Sequence, residues 1–583
     1  MSQAFVDAVS RLSSALDRDD IPWKNLVQAL LVTVYAFETG LQLRQHAHYS
    51  PKRHPSPPSI LQSHISQETF AKSQAYGRAK SQFALVSGLY AQLITAAIIH
   101  FDIYAHVWAA SQHFLNTDGF HRLPFSLPKG EIAVSIAWTI GMFVVRELPS
   151  LPLTYYQHFV LEEAHGFNKM TRTLFISDTL KQWAIGLVIG CPLIGAVVGI
   201  IRWAGPNFVA YVCGFLLVFQ IVAQIAYPTI IQPLFNTLTP LPDGPLKLRI
   251  EKLASALKFP LKSLHVVDGS KRSSHSNAYF SGLPFSKKFI VIFDSLICQA
   301  RHDEIEAVLA HELGHWAHRD PTKLLLLAQA TVLVNFGLFS FFIQNASLYS
   351  AFGFQLAPTS SPLLNKVLNK AVPAFSSTPA IAITEYLPVI VGLELFQLVL
   401  GPMDALIKFL MNSAVRRMEF AADRFAAELA RPKLPPAELA QAAASATAPV
   451  KTATAGKDGD GSATDRASSP SSGEDEEEDT AAQLAARAST NGAAKGTGAD
   501  GEQSVSAKAL IKATELDESE RDDPECLTPY AKLLGQALIR LHVENLSTIY
   551  YDSLYSAWNH SHPTLLERLN ALQPFVQKAE KAQ

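Results

Sequence analysis

The stretch WAIGLVIGCPLIGAVVGIIRW, Trp183 to Trp203, decides the class of fold. Between its flanking tryptophans only Arg202, at the very end, is charged. A hydrocarbon core about 30 Å thick needs about 20 mostly apolar residues at helical rise, so this segment reads as a membrane-crossing helix. Six further stretches have the same character, centred near 26–43, 82–101, 131–149, 207–228, 321–344 and 383–411. The composition agrees. Of 583 residues 48% are hydrophobic and only 17% charged, below the roughly 25% of soluble proteins. Net charge is −2, so no basic field exists to bind nucleic acid by counterion release, and a nucleic-acid partner is excluded. Cys191, Cys213, Cys298 and Cys526 are far apart with no CxxC pair, so neither a disulfide framework nor a cysteine zinc knuckle is readable.

Seven spans place the loop 229–320 and the tail after 411 on one side of the membrane. The loops on that side carry ten Lys and Arg against eight on the other, and Arg319, Lys323, Arg416 and Arg417 add to the excess at span ends. The positive-inside rule then puts that side in the cytosol. From about 432 to 525 the composition turns to Ala, Ser, Gly, Thr, Asp and Glu, with the acidic run Glu474–Asp479. Too little apolar surface is available there to offset ordering entropy, so a disordered acidic insertion is expected, with a docking place for a partner or a phosphorylation-controlled access as its functional alternatives. Apolar periodicity resumes at Tyr530.

The chemistry is carried by AVLAHELGHWAHRD, Ala307 to Asp320. On a helix His311 and His315 lie one turn apart on one face, where two imidazoles can hold a zinc ion at about 2.0–2.1 Å. Glu312 stands beside the remaining open position and is placed to act as general base toward a water whose pKa the metal lowers. Catalytic zinc needs a third protein ligand. His318, one turn past His315, is awkward for a single straight helix. Glu419, in RRMEFAADRFAAEL after the last span, is the better candidate, with Asp423 one turn on as a hydrogen-bond partner for a ligand imidazole.

HELGH, the later EFAAD, RSSHSNAYFSG (Arg272–Gly282) and SHPTLLERL (Ser561–Leu569) together resemble the zinc-dependent integral-membrane CAAX prenyl endopeptidases. PWKN and FETGLQLRQ near the start, FVLEEAHGFNK before the fourth span and QPLFNTLTPL after the fifth resemble them too. The likeness runs in order over nearly the whole chain apart from the insertion. It implies a mainly α, polytopic protein whose seven transmembrane helices form a barrel around a large chamber, closed by a cytosolic zinc-protease domain with a small β-hairpin or sheet. It implies that His311, His315 and Glu419 bind one zinc ion per chain, that Glu312 is the base and that His562 stabilises the oxyanion, with Arg568 at a nearby basic position. His560 is the close alternative to His562. It further implies that Asn277 and Ala278 lie on a strand that pairs with the substrate backbone. Physically, SNAYF followed by KKFIVIF suits a hairpin whose free edge takes an extended peptide.

The domain division that follows is 1–228 for spans one to five, 229–320 for the first part of the protease domain, 321–411 for the last two spans, 412–431 for the third-ligand helix, 432–525 for the insertion and 526–583 for the rest of the protease domain. The expected activity is removal of the last three residues of prenylated CAAX proteins, with membrane lipid as surroundings and the endoplasmic-reticulum membrane, or the inner nuclear membrane, as location. A membrane quality-control metalloprotease is the rival enzyme, and a non-enzymatic scaffold or transporter the remote third reading. Asn345-Ala-Ser falls on the expected lumenal side as a glycosylation sequon.

Overall fold

The computed structural model describes residues 11–116, 130–282, 286–356, 382–384, 386–447, 504–523 and 526–582. The acidic run Glu474–Asp479 lies outside them. The chain divides into two compact units.

The first comprises Met1–Tyr227, His315–Phe420 and Leu546–Glu567. Among the described residues, six stretches are long and apolar enough to cross a membrane: Trp23–His48, Gln67–His100, Glu131–Glu162, Arg172–Leu234, Asp320–Phe339 and Val389–Glu428. Val188, Val86 and Leu326 are 72%, 63% and 65% exposed along them. Apolar side chains in such numbers on a helix surface belong in lipid. The stretch Arg172–Leu234 has 63 residues, which as one straight helix would measure about 95 Å, three times the hydrocarbon thickness. It is instead two helices, Arg172–Ala204 and Phe208–Ala226, broken at Gly205 (φ 54°) and Pro206. The apolar core gathers toward one end of the helices, where Trp23, Trp108, Trp138, Phe339, Phe352 and Phe396 are buried. At the other end a small cluster of Tyr76, Leu161 and Phe167 is buried.

The second unit comprises Pro228–Gly314, Ala421–Asn545 and Arg568–Gln583. Its mixed sheet contains β1 (Leu238–Pro240), β2 (Leu261–Val267), β3 (Ala278–Ser281) and β4 (Lys288–Phe293), in the order β1-β2-β4-β3. Ile290, Val291 and Ile292 of β4 are all 0–1% exposed, as befits a strand covered on both faces. β3 pairs antiparallel with β4 and forms the sheet edge, so the expected hairpin is present.

Three expectations need correction. The last span and the third-ligand helix are not separate elements: one helix of 40 residues, Val389–Glu428, carries both. Hydropathy detects only its apolar part, while its polar end continues the same backbone ladder. The insertion is not without structure throughout. Helices Pro436–Thr447, Val505–Thr514 and Glu518–Asp522 occupy its two ends. Leu434, Leu439, Ala509 and Leu510 are buried there, and a Cβ on Gly244 would come within 2.7 Å of the backbone of Ala513 and Thr514. Sparse apolar residues at helical spacing suffice when a neighbouring surface receives them. Finally, Asn345 is fully buried. Its Oδ1 accepts from Leu348 N at 2.7 Å and its Nδ2 donates to Leu16 O at 2.9 Å, so the sequon is spent on a helix cap.

Candidate metal centre

The helix His302–Ala317 begins with Asp303 and Glu304 at its positive end and is buried along most of its length. It presents His311 and His315 one turn apart, as its spacing requires. Gly314 lets it approach the long helix closely: a Cβ there would lie 3.1 Å from Ala422 Cα and 3.2 Å from Ala422 O. That contact brings the HELGH and EFAAD segments face to face.

Each of the two candidate ligand imidazoles is held by a carboxylate on Nδ1. His311 Nδ1 lies 2.9 Å from Asp423 Oδ1, and Arg568 pairs with the same Asp423 while its Nη2 stands 3.3 Å from His311 Nδ1. His315 Nδ1 lies 2.9 Å from Asp320 Oδ2, and Lys323 Nζ reaches the other oxygen of that carboxylate, Oδ1, at 2.8 Å. Fixing Nδ1 in this way leaves Nε2 of both rings to a metal. His315 Nε2 is 3.3 Å from Glu419 Oε1, and His562 Nδ1 is 3.0 Å from the same oxygen. Ligand atoms of His311, His315 and Glu419 all lie within 4.8 Å of one another, and the Glu419 residue is buried. Two imidazoles and one carboxylate is the donor set of a catalytic, three-ligand zinc site, so the residues fit that metal. His318 is not part of the group.

Only one of the two adjacent histidines reaches this centre. His562 is 67% exposed in its side chain and touches Glu419, whereas His560 packs against Tyr551 and Tyr555. Burial, with the Arg416 charge adding to it, pushes the His560 imidazole below its ordinary pKa.

A second cluster, His302, Asp517 and Glu520, also satisfies metal-ligand spacing. It is better explained as an ion network. Arg249 Nε takes Glu520 Oε1 at 2.7 Å, and Glu306 binds Arg249, Arg431 and Tyr530 Oη. Burial opposes the Glu520 charge, yet hydrogen bonds from His302 and Asp517 and the Arg249 charge hold its carboxyl well below the usual range.

On β3 the register with β4 turns Asn277 O toward Phe293 N, at 3.0 Å. Alternation then directs the main-chain groups of Ala278 and Phe280 to the open edge. The Ala278 N–H is covered by Asn277's own Oδ1 at 2.8 Å.

Asp320 is a member of the candidate site that sequence reasoning missed. It stands in the quoted motif, but Arg319 adopts a left-handed conformation (φ 57°) and the chain turns before starting the next helix. Helical spacing therefore does not reveal that Asp320 returns to His315.

Apolar helices long enough for a bilayer and an HExxH helix facing a third carboxylate define a membrane-embedded metallopeptidase. Residues 45–237 match the model of the CAAX prenyl protease N-terminal region with five membrane helices, and 240–576 match peptidase family M48. The chain is 31% identical to CAAX prenyl protease 1 of Saccharomyces cerevisiae, over 97% of this chain and 99% of that protein. It is 36% identical to the CAAX prenyl protease 1 homolog of Arabidopsis thaliana, over 95% and 98%. The crystal structure of S. mikatae Ste24p superposes with a TM-score of 0.69 at 32% identity, covering 95% and 99% of the two chains. The chain belongs to the CAAX prenyl protease 1 family.

Proposed function

We propose that the protein is a zinc-dependent endopeptidase that removes the last three residues of proteins ending in a prenylated CAAX sequence. The observation that carries the reading is the pair of carboxylate-anchored imidazoles converging with Glu419. His311, His315 and Glu419 would hold the zinc. When bound, the ion supplies a Lewis acid that polarises the scissile carbonyl and acidifies the attacking water. Glu312 takes the proton from that water and returns it to the leaving amine. His562, beside Glu419, donates to the oxyanion. Asp423 and Asp320 keep the imidazoles oriented, and Arg568 holds Asp423. The substrate backbone adds to β3 through Ala278 and Phe280, with the Asn277 carboxamide swinging away from Ala278 N–H to contact the peptide.

The two helices within Arg172–Leu234 bring the crossings to seven, arranged as a barrel around an aqueous chamber. Glu38 and Glu394, 39% and 26% exposed in their side chains, face this water, as ionisable groups in spans generally do. The metal centre faces the cytosol from the endoplasmic-reticulum membrane, with the inner nuclear membrane as a further location. Prenylated proteins are the partners, and the acidic segment is a candidate regulatory contact.

The deciding experiment measures zinc content and cleavage of farnesylated and unprenylated CAAX peptides by the purified protein. One zinc per chain, prenyl-dependent cleavage, chelator-sensitive turnover and loss of orders of magnitude in Glu312→Gln are expected. Equal cleavage of both peptides would favour the quality-control reading, and parental turnover in Glu312→Gln would remove the base.

A further inference from the structure

The long helix presents Lys408 on the same face as Glu419, since eleven residues at 3.6 per turn make about three turns. That face is turned toward the segment Leu546–Glu567. Between the two positions, Asn412 Nδ2 donates to Trp558 O at 2.8 Å, and Arg416 donates to His562 O at 3.1 Å and pairs with Glu567 at 2.7 Å. Asn412 and Arg416 are thereby committed to holding the segment that carries His562.

Lys408 is held far more loosely. Its side chain is 47% exposed, and its Nζ lies 3.5 Å from both Glu38 Oε1 and Asn559 Oδ1, the outer limit of a hydrogen bond. The Trp558 ring stacks on Phe409, with centroids 5.4 Å apart, and meets Phe37 edge-on at 4.7 Å. An apolar wall therefore stands beside an ammonium with long contacts, within a membrane-spanning helix. Such a cation is costly to place and marks a ligand path unless a close partner satisfies it.

The missing partner has a definite chemistry if the reading under Proposed function holds, on which this inference rests. The substrate ends in a free carboxylate three residues beyond the bond that is cut. Lys408 and Glu419 are separated by about 16 Å along the helix axis. Three extended residues cover about 10 Å, leaving about 6 Å, which a four-carbon lysine stem can bridge.

We propose that Lys408, with Asn559 beside it, binds the C-terminal carboxylate of the substrate and so sets the cut three residues from the chain end. Glu38 holds the ammonium between turnovers and gives it up to the incoming carboxylate, remaining near Trp558 Nε1 (3.4 Å). The site measures length, while the metal centre supplies the chemistry.

The test uses two farnesylated peptides of one sequence, one ending in a carboxylate and the other in a carboxamide. The parent enzyme should favour the acid by about tenfold or more in kcat/KM, chiefly through KM, as a charge-assisted contact implies. Lys408→Met should bring the ratio toward one by impairing the acid peptide far more than the amide. Lys408→Arg should retain a preference, and Glu38→Gln should increase it. Binding of the same peptides to the full-length Glu312→Gln protein, read by fluorescence anisotropy, should rank them identically without turnover. A parent enzyme indifferent to the end group, or a ratio unchanged in Lys408→Met, would overturn the assignment. Should Lys408→Met not fold, an unchanged or smaller acid preference in folded Glu38→Gln would overturn it. Failure of the parent to cleave either peptide would instead overturn the proposed activity, and this subsite with it.

Discussion

His311 and His315 are equivalent by spacing but are oriented from different directions, one by Asp423 on the facing helix and the other by Asp320 at the head of the next helix. An imidazole with Nδ1 anchored has lost its ring rotation before any metal arrives, so the anchors act on affinity. Asp320→Asn should lower zinc affinity about 10- to 100-fold with the helices intact, measured by competition against a chelator dye and circular dichroism. His562→Ala should cost about 10²–10³ in kcat with zinc content preserved, because its proposed role is toward the oxyanion and not the ion. At this scale much of the candidate site's geometry was legible. HExxH carries its own geometry, and Glu419 with Asp423 repeats at one helical turn. Asp320 was hidden because a left-handed residue, Arg319, interrupts the periodicity that makes spacing readable. The choice between His560 and His562 was also closed to spacing, since it depends on which ring the two tyrosines cover.

Among elements, the contact of the HExxH helix with the long helix turns on Gly314. In Gly314→Ala the added methyl would meet Ala422 backbone, which cannot give way as a side-chain tip would. Overpacking of this kind costs about 1–3 kcal/mol, and the helices should separate enough to reduce zinc retention and turnover together. The β3 edge offers a cleaner test. Phe280→Pro removes an outward N–H without breaking a ladder bond to β4, so it should raise KM for peptides while leaving zinc content and thermal stability near parental values. Hydropathy found the spans but misjudged where helices end. It registers apolar side chains, whereas a helix is continued by backbone hydrogen bonds, and Val389–Glu428 runs from its apolar span to Glu419 and Asp423 without interruption.

For the whole molecule, the acidic segment is tied down at both ends of its described residues. Arg431, just before the segment, contacts Glu306 of the HExxH helix and Asp523 near the segment's far end, while Glu520 contacts Arg249 and His302. Deleting 448–503 should therefore preserve stability. Extending the deletion to 435–520 removes Glu520 and leaves the fully buried Arg249 with Glu306, which Arg431 and Tyr530 share, as its remaining carboxylate; breaking a buried pair in this way costs about 3–5 kcal/mol and should give an unstable protein. Apparent melting temperatures and detergent-solubilised yield of the two deletions would show the difference. An activity loss confined to the larger deletion would then report folding and not regulation.

Composition and short-range order were enough to establish a membrane protein, the HExxH helix, the edge hairpin and the approximate places of the spans, because each follows from local periodicity or from the thickness of lipid. Contacts that no regular period dictates were decided only by the fold: Asp320 against His315 across a reversed turn, Arg249 against Glu520 through 271 positions, and Lys408 left with long contacts beside Glu38. Local sequence sets the direction a side chain takes from its own backbone, but what meets it there is determined by packing.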